Sequence, residues 1–131
     1  MADQLNRIKI SEHFSLHEFA CPCCKAAKVH PHLLMGLEKL RAKLRKPIRL
    51  SSAYRCLKHN LEIGGVADSN HIHGRAADIP TTSLEMTPLE LARVCATIPE
   101  FKRIGVYARR RFVHVGVRRK PGKSNRWGDW A

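Results

Sequence analysis

Leucines recur along residues 31–44 with the spacing of a single helix face. They are Leu33, Leu34, Leu37, Leu40 and Leu44. This is the 3.6-residue period of an amphipathic helix. Pro31 suits the first helical turn, where a backbone N–H is not needed, and Pro47 closes the segment. The pattern predicts a helix over 31–44 with a charged, solvated outer face.

Two capping boxes predict further helix starts. Thr87 and Glu90 are three residues apart, and Pro88 stands at the first helical position. The residues that follow give this helix a broad apolar side, which we expect to pack on a sheet: Leu89, Leu91, Ala92, Val94, Cys95 and Ile98. Ser15 and Glu18 have the same form, which predicts a short helical turn from Ser15 to Phe19.

Alternating residues near the C-terminus predict two antiparallel strands, 103–107 and 112–117, joined by a basic turn at 108–111. On the second strand Val113, Val115 and Val117 would face the core. Phe112, His114, Gly116 and Arg118 would face a cleft. We also expect a short strand at 48–51, a turn at 62–66, and an alternating segment at 75–79 on which Ala76 and Asp78 share a face.

These elements predict one α+β domain over residues 1–131, with helices packed on a small, mostly antiparallel sheet whose other face bears a metal cleft. We expect flexible ends at 1–10 and 119–131. An alternative for the tail is that it wraps an edge of the fold, with Trp127 and Trp130 as anchors. At 131 residues, a chain can bury a modest core around one cleft.

Basic residues outnumber acidic ones by 24 to 11, which leaves a net charge of +13. Such a charge indicates an anionic partner or surface, and nucleic acid, anionic lipid and bacterial wall polymers all qualify. Nucleic acid is not expected as a partner, because no helix-turn-helix, zinc-finger or aromatic-basic motif is present. No run approaches the ~20 apolar residues of a membrane span, and the start lacks a signal-peptide core. We expect synthesis in the cytoplasm, no membrane insertion and a monomer.

Five cysteines are present, and Cys21, Cys23 and Cys24 lie too close together for an ordinary disulfide framework. Reduced thiols are therefore expected. Two interpretations of this cluster remain open. Two or three of these thiols bind a structural zinc together with His17 or Cys56, or they pack as small apolar groups in a tight turn.

A histidine and an aspartate lie seven residues apart in the segment 69–78, with a glycine between them. A catalytic zinc uses imidazole and carboxylate ligands, three in all, and keeps a fourth position open for water. His71 and Asp78 therefore indicate part of a zinc site. His114 is the best candidate for the third ligand, because the alternation of its strand turns it toward the cleft. His73 competes with His71, since one residue separates them.

The spacing of these residues resembles that of a known family. The pattern Ser-x-His-x-x-Gly-x-Ala-x-Asp is met at Ser69, His71, Gly74, Ala76 and Asp78. Together with a later strand histidine, it is typical of the zinc D-Ala-D-Ala peptidases. The chain is most similar to the short branch of that family found in phage and bacterial cell-wall enzymes. Further similar stretches lie at 11–19, 47–55 and 59–65.

The resemblance implies a hedgehog/D-Ala-D-Ala peptidase-like fold with Zn²⁺ held by His71, Asp78 and His114. It implies that the protein hydrolyses peptidoglycan stem peptides or cross-links, as a D,D-carboxypeptidase or an endopeptidase, in a phage or prophage setting. It also implies substrate binding by Arg55 and Ser69. Guanidinium suits a peptide carboxylate or carbonyl because its donors form a planar fork. The alternative role of Arg55 is to pin its loop.

The chain departs from the family pattern at the positions where relatives carry the general base. Relatives typically carry an acid two residues after the strand histidine, about 7 Å along the same face, where this chain has Gly116. Other branches place an acid three residues before it, where Arg111 stands. Four further candidates for the base are Glu62, Asp68, Asp129 and His73.

Two other functions are therefore considered. The second hypothesis is a zinc-bearing binding or structural module that has lost its base, and the third is a basic nucleic-acid binder.

Overall fold

Three α-helices and four strands form the fold in the residues that the structure, a computed structural model, describes: 7–66, 69–117 and 125–130. The helices are α1 (Pro31–Leu44), α2 (Leu57–Glu62) and α3 (Pro88–Cys95). The strands are β1 (Ala76–Pro80), β2 (Arg103–Tyr107), β3 (Phe112–Gly116) and β4 (Asn125–Gly128). Two 3-10 helices, Leu16–Phe19 and Asn70–His73, complete the set.

Helices α1 and α3 begin where their sequence signals place them. Pro31 opens α1, and His30 caps it by accepting the amide of His32 at Nδ1. The Thr87 hydroxyl accepts the Glu90 amide, while the Glu90 carboxylate accepts the Thr87 amide, which forms the expected capping box. These two helices and the helical turn at Leu16–Phe19 are confirmed.

The four strands form one sheet in the order β1-β3-β2-β4. Strand β3 pairs antiparallel with β1 on one side and with β2 on the other. The predicted antiparallel pair of strands is therefore confirmed, as is the burial of Val113, Val115 and Val117. Strand β4 joins the edge parallel to β2. The sheet is thus mostly antiparallel, with one parallel edge.

One local expectation differs from the structure. Residues 48–51 do not form a strand. Only an isolated bridge joins Ser52 to Asp78, because the segment meets the edge strand β1 at a single residue pair. The loop expected at 54–56 is present, and it leads into α2, which Cys56 caps by accepting the His59 amide at sulfur. The tail residues 118–124 lie outside the described residues.

Helices α1 and α3 lie on one face of the sheet, whereas α2 contacts the 3-10 helix Asn70–His73. Helix α3 packs on β2 and β3, and α1 packs against α3. Leu33, Leu37 and Leu91 are fully buried between these layers. The predicted single α+β domain is confirmed. In the described ranges no helix is long and apolar enough to cross a membrane. The opposite face of the sheet is left to form a cleft.

Candidate metal centre

Three side chains converge on the open face of the sheet. His71, Asp78 and His114 each offer one ligand atom, and these atoms all lie within 4.8 Å of one another. Asp78 and His114 are direct partners across β1 and β3. Asp78 Oδ1 is 2.9 Å from His114 Nδ1 and 3.5 Å from His71 Nε2. The three groups could therefore hold a metal ion.

The backbone orients His71 before any ion is bound. Its Nδ1 donates a hydrogen bond to the carbonyl of Ala53 over 2.6 Å, which leaves Nε2 directed at Asp78. Metal-binding histidines commonly use one ring nitrogen in this way to fix the other. Ser69 supports the arrangement because its hydroxyl accepts the His71 amide over 3.2 Å.

Gly74 lets the chain turn from the 3-10 helix Asn70–His73 into β1. Its φ is 66°, in the left-handed region, and a Cβ there would lie 2.9 Å from the backbone of Lys28. Both conditions favour glycine. The amide of His30 donates to the Gly74 carbonyl over 2.7 Å. The glycine of the motif thus ties the loop that carries His71 to the segment that precedes α1.

Burial and hydrogen bonding set the charges of the cluster. Burial alone would raise the pKa of Asp78, but hydrogen bonds from His114 and His71 outweigh it and hold that pKa well below its usual range. Burial lowers the pKa of His114, and the pull of Asp78 only partly opposes it. An ionised carboxylate beside a neutral imidazole is the state in which both groups bind a metal.

A cleft of about 820 Å³ opens over the three side chains, within the usual range of ligand-binding pockets. Arg55, Arg103 and Arg110 line it, and so does Ser69. The buried Nε of Arg55 has no hydrogen-bond partner among the described residues. Burial lowers the pKa of Arg55, while attraction to Asp78 opposes the change. The cleft therefore presents several cations to a ligand.

Aromatic side chains form one wall of the cleft. Trp127 lies 5.2 Å from the His114 ring, and its Nε1 donates to the Tyr107 hydroxyl over 2.7 Å. Tyr107 in turn stacks on Phe112 at 4.4 Å between ring centroids. The Arg103 guanidinium lies 5.4 Å from the centroid of Trp127, at cation–π distance. Strand β4 thus completes the wall beside the three candidate ligands.

The candidate bases lie elsewhere. His73 lines a different cavity, beside His30 and Arg75. Asp129 accepts the amide of Ala108, and Asp68 falls outside the described residues. Glu62 is exposed and does not line the cleft. Among the described residues, Asp78 is the only carboxylate that lines the cleft.

Gly116, which stands where relatives carry an acid, lies close to the side chain of Asn70. A Cβ built at Gly116 would lie 3.2 Å from the side-chain nitrogen of Asn70 and 3.4 Å from Cβ of Arg103. Because the Asn70 amide is at the end of a flexible side chain, a shift of a few tenths of an ångström would admit a Cβ at this position. A side chain at residue 116 would therefore first contact Asn70.

Sequence reasoning missed Arg103, Tyr107 and Trp127 as cleft residues. Arg103 and Tyr107 share a face of β2 with Gly105, which lies opposite His114. Extending the alternation of β3 to its predicted partner strand could have identified both. Trp127 was expected only as an anchor of the tail, and its place follows from the parallel pairing of β4, for which the sequence carries no local signal.

The sequence model of a family described as Peptidase M15 matches residues 12–116, which cover most of the chain. The chain therefore belongs to the peptidase M15 family, the zinc D-Ala-D-Ala peptidases, and the resemblance of the motif at 69–78 is confirmed. No curated protein matches the chain. Membership supports a peptidase and a zinc-dependent chemistry.

The donor set fits the ion that this family uses. Two imidazole nitrogens and one carboxylate oxygen are common ligands of a catalytic zinc site. The cleft beside them leaves room for a further ligand. When bound, zinc would polarise a peptide carbonyl and make water a nucleophile near neutral pH. His71, Asp78 and His114 would hold it, since their ligand atoms already face one another.

We expect Gly105→Ala to disturb the aromatic wall, because a Cβ there would lie 2.4 Å from Cε2 of Trp127. The free energy of unfolding should fall by about 1–3 kcal/mol, measured by chemical denaturation, and tryptophan fluorescence should change. Gly116→Ala is the matched control on the neighbouring strand, where the nearest side-chain atom is 3.2 Å away. Equal losses in the two variants would contradict this account.

Proposed function

We propose that this protein is a zinc-dependent peptidase that hydrolyses peptidoglycan stem peptides or their cross-links. The observation that carries the proposal is the convergence of His71, Asp78 and His114 within 4.8 Å of one another at the floor of an open cleft. Family membership supplies the reaction class. The three side chains hold the ion, and the cleft above them takes the peptide.

Arg55 is the residue that orients the substrate in this proposal. It is half-buried beside the cluster, and its Nε lacks a partner among the described groups. Its amide donates to the His71 carbonyl over 3.2 Å, so the Arg55 segment is tied to the metal loop. A guanidinium in that place can bind a terminal carboxylate or a peptide carbonyl. Ser69 acts on the substrate indirectly, by capping the loop that carries His71.

The charge of the cleft favours a substrate with a free carboxylate. Arg55, Arg103 and Arg110 all line it, and Asp78 is the one described carboxylate among the lining residues. Cations in a partly enclosed cleft raise the local concentration of an anionic ligand. We therefore favour removal of the terminal residue of a stem peptide over cleavage of a cross-link. The net charge of +13 would also hold the protein on a polyanionic wall.

The second candidate function is a zinc-bearing wall-binding module with impaired catalysis. The observation that favours it is the absence of a second carboxylate from the described lining of the cleft. Gly116 occupies the position where relatives typically carry an acid. General base catalysis contributes on the order of 10²–10⁴ in rate, so its loss would leave binding intact and hydrolysis slow.

We expect His114→Ala to lose its zinc and its hydrolytic activity, because one of three ligands is removed. The zinc content, measured by elemental analysis, should fall by about one equivalent, which is the ion held by His71, Asp78 and His114. Release of products from purified peptidoglycan should stop in the same samples. His73→Ala is the control, since His73 lines a separate cavity and should retain both properties.

The outcomes of this experiment separate the two candidates. Zinc with metal-dependent cleavage supports the peptidase. If the wild type binds zinc but does not cleave peptidoglycan, and His114→Ala loses that zinc, the result supports the binding module. If His114→Ala kept the zinc content and His73→Ala lost it, the assignment of the ligands would be wrong.

Arg55→Ala should lower kcat/KM on a stem peptide by on the order of 10²-fold, because a charge-assisted hydrogen bond to the substrate is lost. Zinc content should stay unchanged. Arg49→Ala, an exposed arginine, is the control for the loss of one positive charge. Amidation of the peptide's terminal carboxylate should weaken the wild type and leave Arg55→Ala nearly unaffected. An equal effect of amidation on both proteins would exclude a contact between Arg55 and that carboxylate.

Gly116→Asp should raise kcat on wall fragments by on the order of 10²-fold, because it restores a proton acceptor at the position typical of relatives. Gly116→Asn is the matched control, since it has nearly the same shape and cannot act as a base. Both variants require the Asn70 amide to shift from its 3.2 Å approach. A gain in the Asn variant equal to that of the Asp variant would show that space, and not a base, limits the rate.

A further inference from the structure

Three thiols converge at a second place in the fold. Cys21, Cys24 and Cys56 each offer one sulfur, and the three sulfurs all lie within 4.8 Å of one another. The Sγ atoms of Cys21 and Cys56 are 3.7 Å apart, although these residues are 35 positions apart in the sequence. All three are free thiols. The fold therefore gathers a set of soft ligands that the proposed peptidase chemistry does not use.

The backbone around the first two thiols forms a tight turn. Cys21 and Cys24 have the Cys-x₂-Cys spacing of structural zinc sites. The Lys25 amide donates to the Cys21 carbonyl over 2.9 Å, and the Cys21 amide donates to the Ala26 carbonyl over 2.7 Å. Lys25 adopts the left-handed backbone, with φ of 65°, and so reverses the chain directly after Cys24. The turn brings both sulfurs within reach of Cys56.

Backbone N–H groups surround the sulfurs. The Cys56 amide donates to Sγ of Cys21, and the His59 amide donates to Sγ of Cys56, each over 3.4 Å. Such donors stabilise the thiolate, which is the form that binds metal. They also orient the ligands around an ion.

The burial of the three thiols suits an ion that enters from solvent. Cys21 is buried, Cys56 is half-buried and Cys24 is exposed. The exposed Cys23 thiol interacts with that of Cys56, so a fourth sulfur is near the open side of the cluster. Structural zinc sites are closed by four protein ligands. In the described ranges His17, the alternative partner from the sequence, does not belong to this group.

We propose that Cys21, Cys24 and Cys56 form a second metal site, which binds a thiophilic divalent cation such as zinc and has a structural role. Thiolates select such an ion over Mg²⁺ or Ca²⁺. The ion joins the turn at 21–24 to the start of α2. Because Cys56 directly follows Arg55, the same cross-link holds the backbone from which Arg55 reaches the cleft. This inference does not rest on the proposed peptidase activity.

Cobalt substitution tests the site directly. The full chain is loaded with Co²⁺ under reducing conditions, and the near-ultraviolet thiolate-to-cobalt absorption is recorded. We expect this absorption in the wild type, in His114→Ala and in Cys95→Ala, whose buried thiol lies outside the cluster. It should be lost in Cys56→Ser, and the zinc content of that variant should fall by about one equivalent.

Two results would overturn the proposal. One is absorption that is missing in the wild type or unchanged in Cys56→Ser. The other is a Cys21–Cys56 disulfide in freshly purified protein, detected by mass spectrometry.

Because Cys56→Ser could fail to fold, alkylation of the wild type gives a second test. Zinc should slow the modification of the exposed Cys24 at least tenfold relative to the zinc-free protein, as expected for a bound thiolate, and equal rates would refute a metal site.

Discussion

The direct pairing of Asp78 with His114 across β1 and β3 is the constraint on which the cleft depends. Neighbouring strands hold paired residues at a short, fixed separation, and the pairing places the carboxylate against the imidazole at 2.9 Å. A slip of one residue would turn one of the two side chains into the core. The buried valines of β3 oppose such a slip, so the packing of the core also secures the register of the site.

His71, the third candidate ligand, is held in place by hydrogen bonds and not by strand pairing. His71 comes from a short 3-10 helix, which by itself does not hold a side chain firmly. The Ala53 carbonyl binds one ring nitrogen, Ser69 caps the turn and Gly74 leads the chain back into the sheet. Bringing the three polar side chains together costs free energy, because their polar atoms lose water before an ion replaces it. The supporting hydrogen bonds offset part of that cost.

Much of the fold could be predicted where the signal is local. The leucine spacing of α1, the capping box of α3 and the alternation of β3 each concern residues within a few positions of one another. The candidate site could also be predicted in part, because the residue types and spacing of His71 and Asp78 are informative. The site as a set of metal ligands stays a prediction that metal analysis must test.

The parts of the fold that the sequence did not predict depend on contacts between distant segments. Strand β4 pairs parallel to β2, and a parallel partner cannot be recognised from the turn that precedes it. Helix α2 has only six residues and a cysteine at its cap, so neither its period nor its start resembles a usual helix. At 48–51 the apolar alternation is that of a strand, yet only one bridge forms near it.

The position of Trp127 has an evolutionary consequence. This side chain forms the wall beside His114, yet it stands in β4, beyond the residues 12–116 that the family model matches. One part of the cleft wall is thus encoded outside the region of the gene that supplies the three side chains on the floor. Mutations that lengthen, shorten or replace the terminal strand can reshape what enters the cleft, while the three side chains on its floor remain untouched. Selectivity in such a protein can diverge faster than its chemistry.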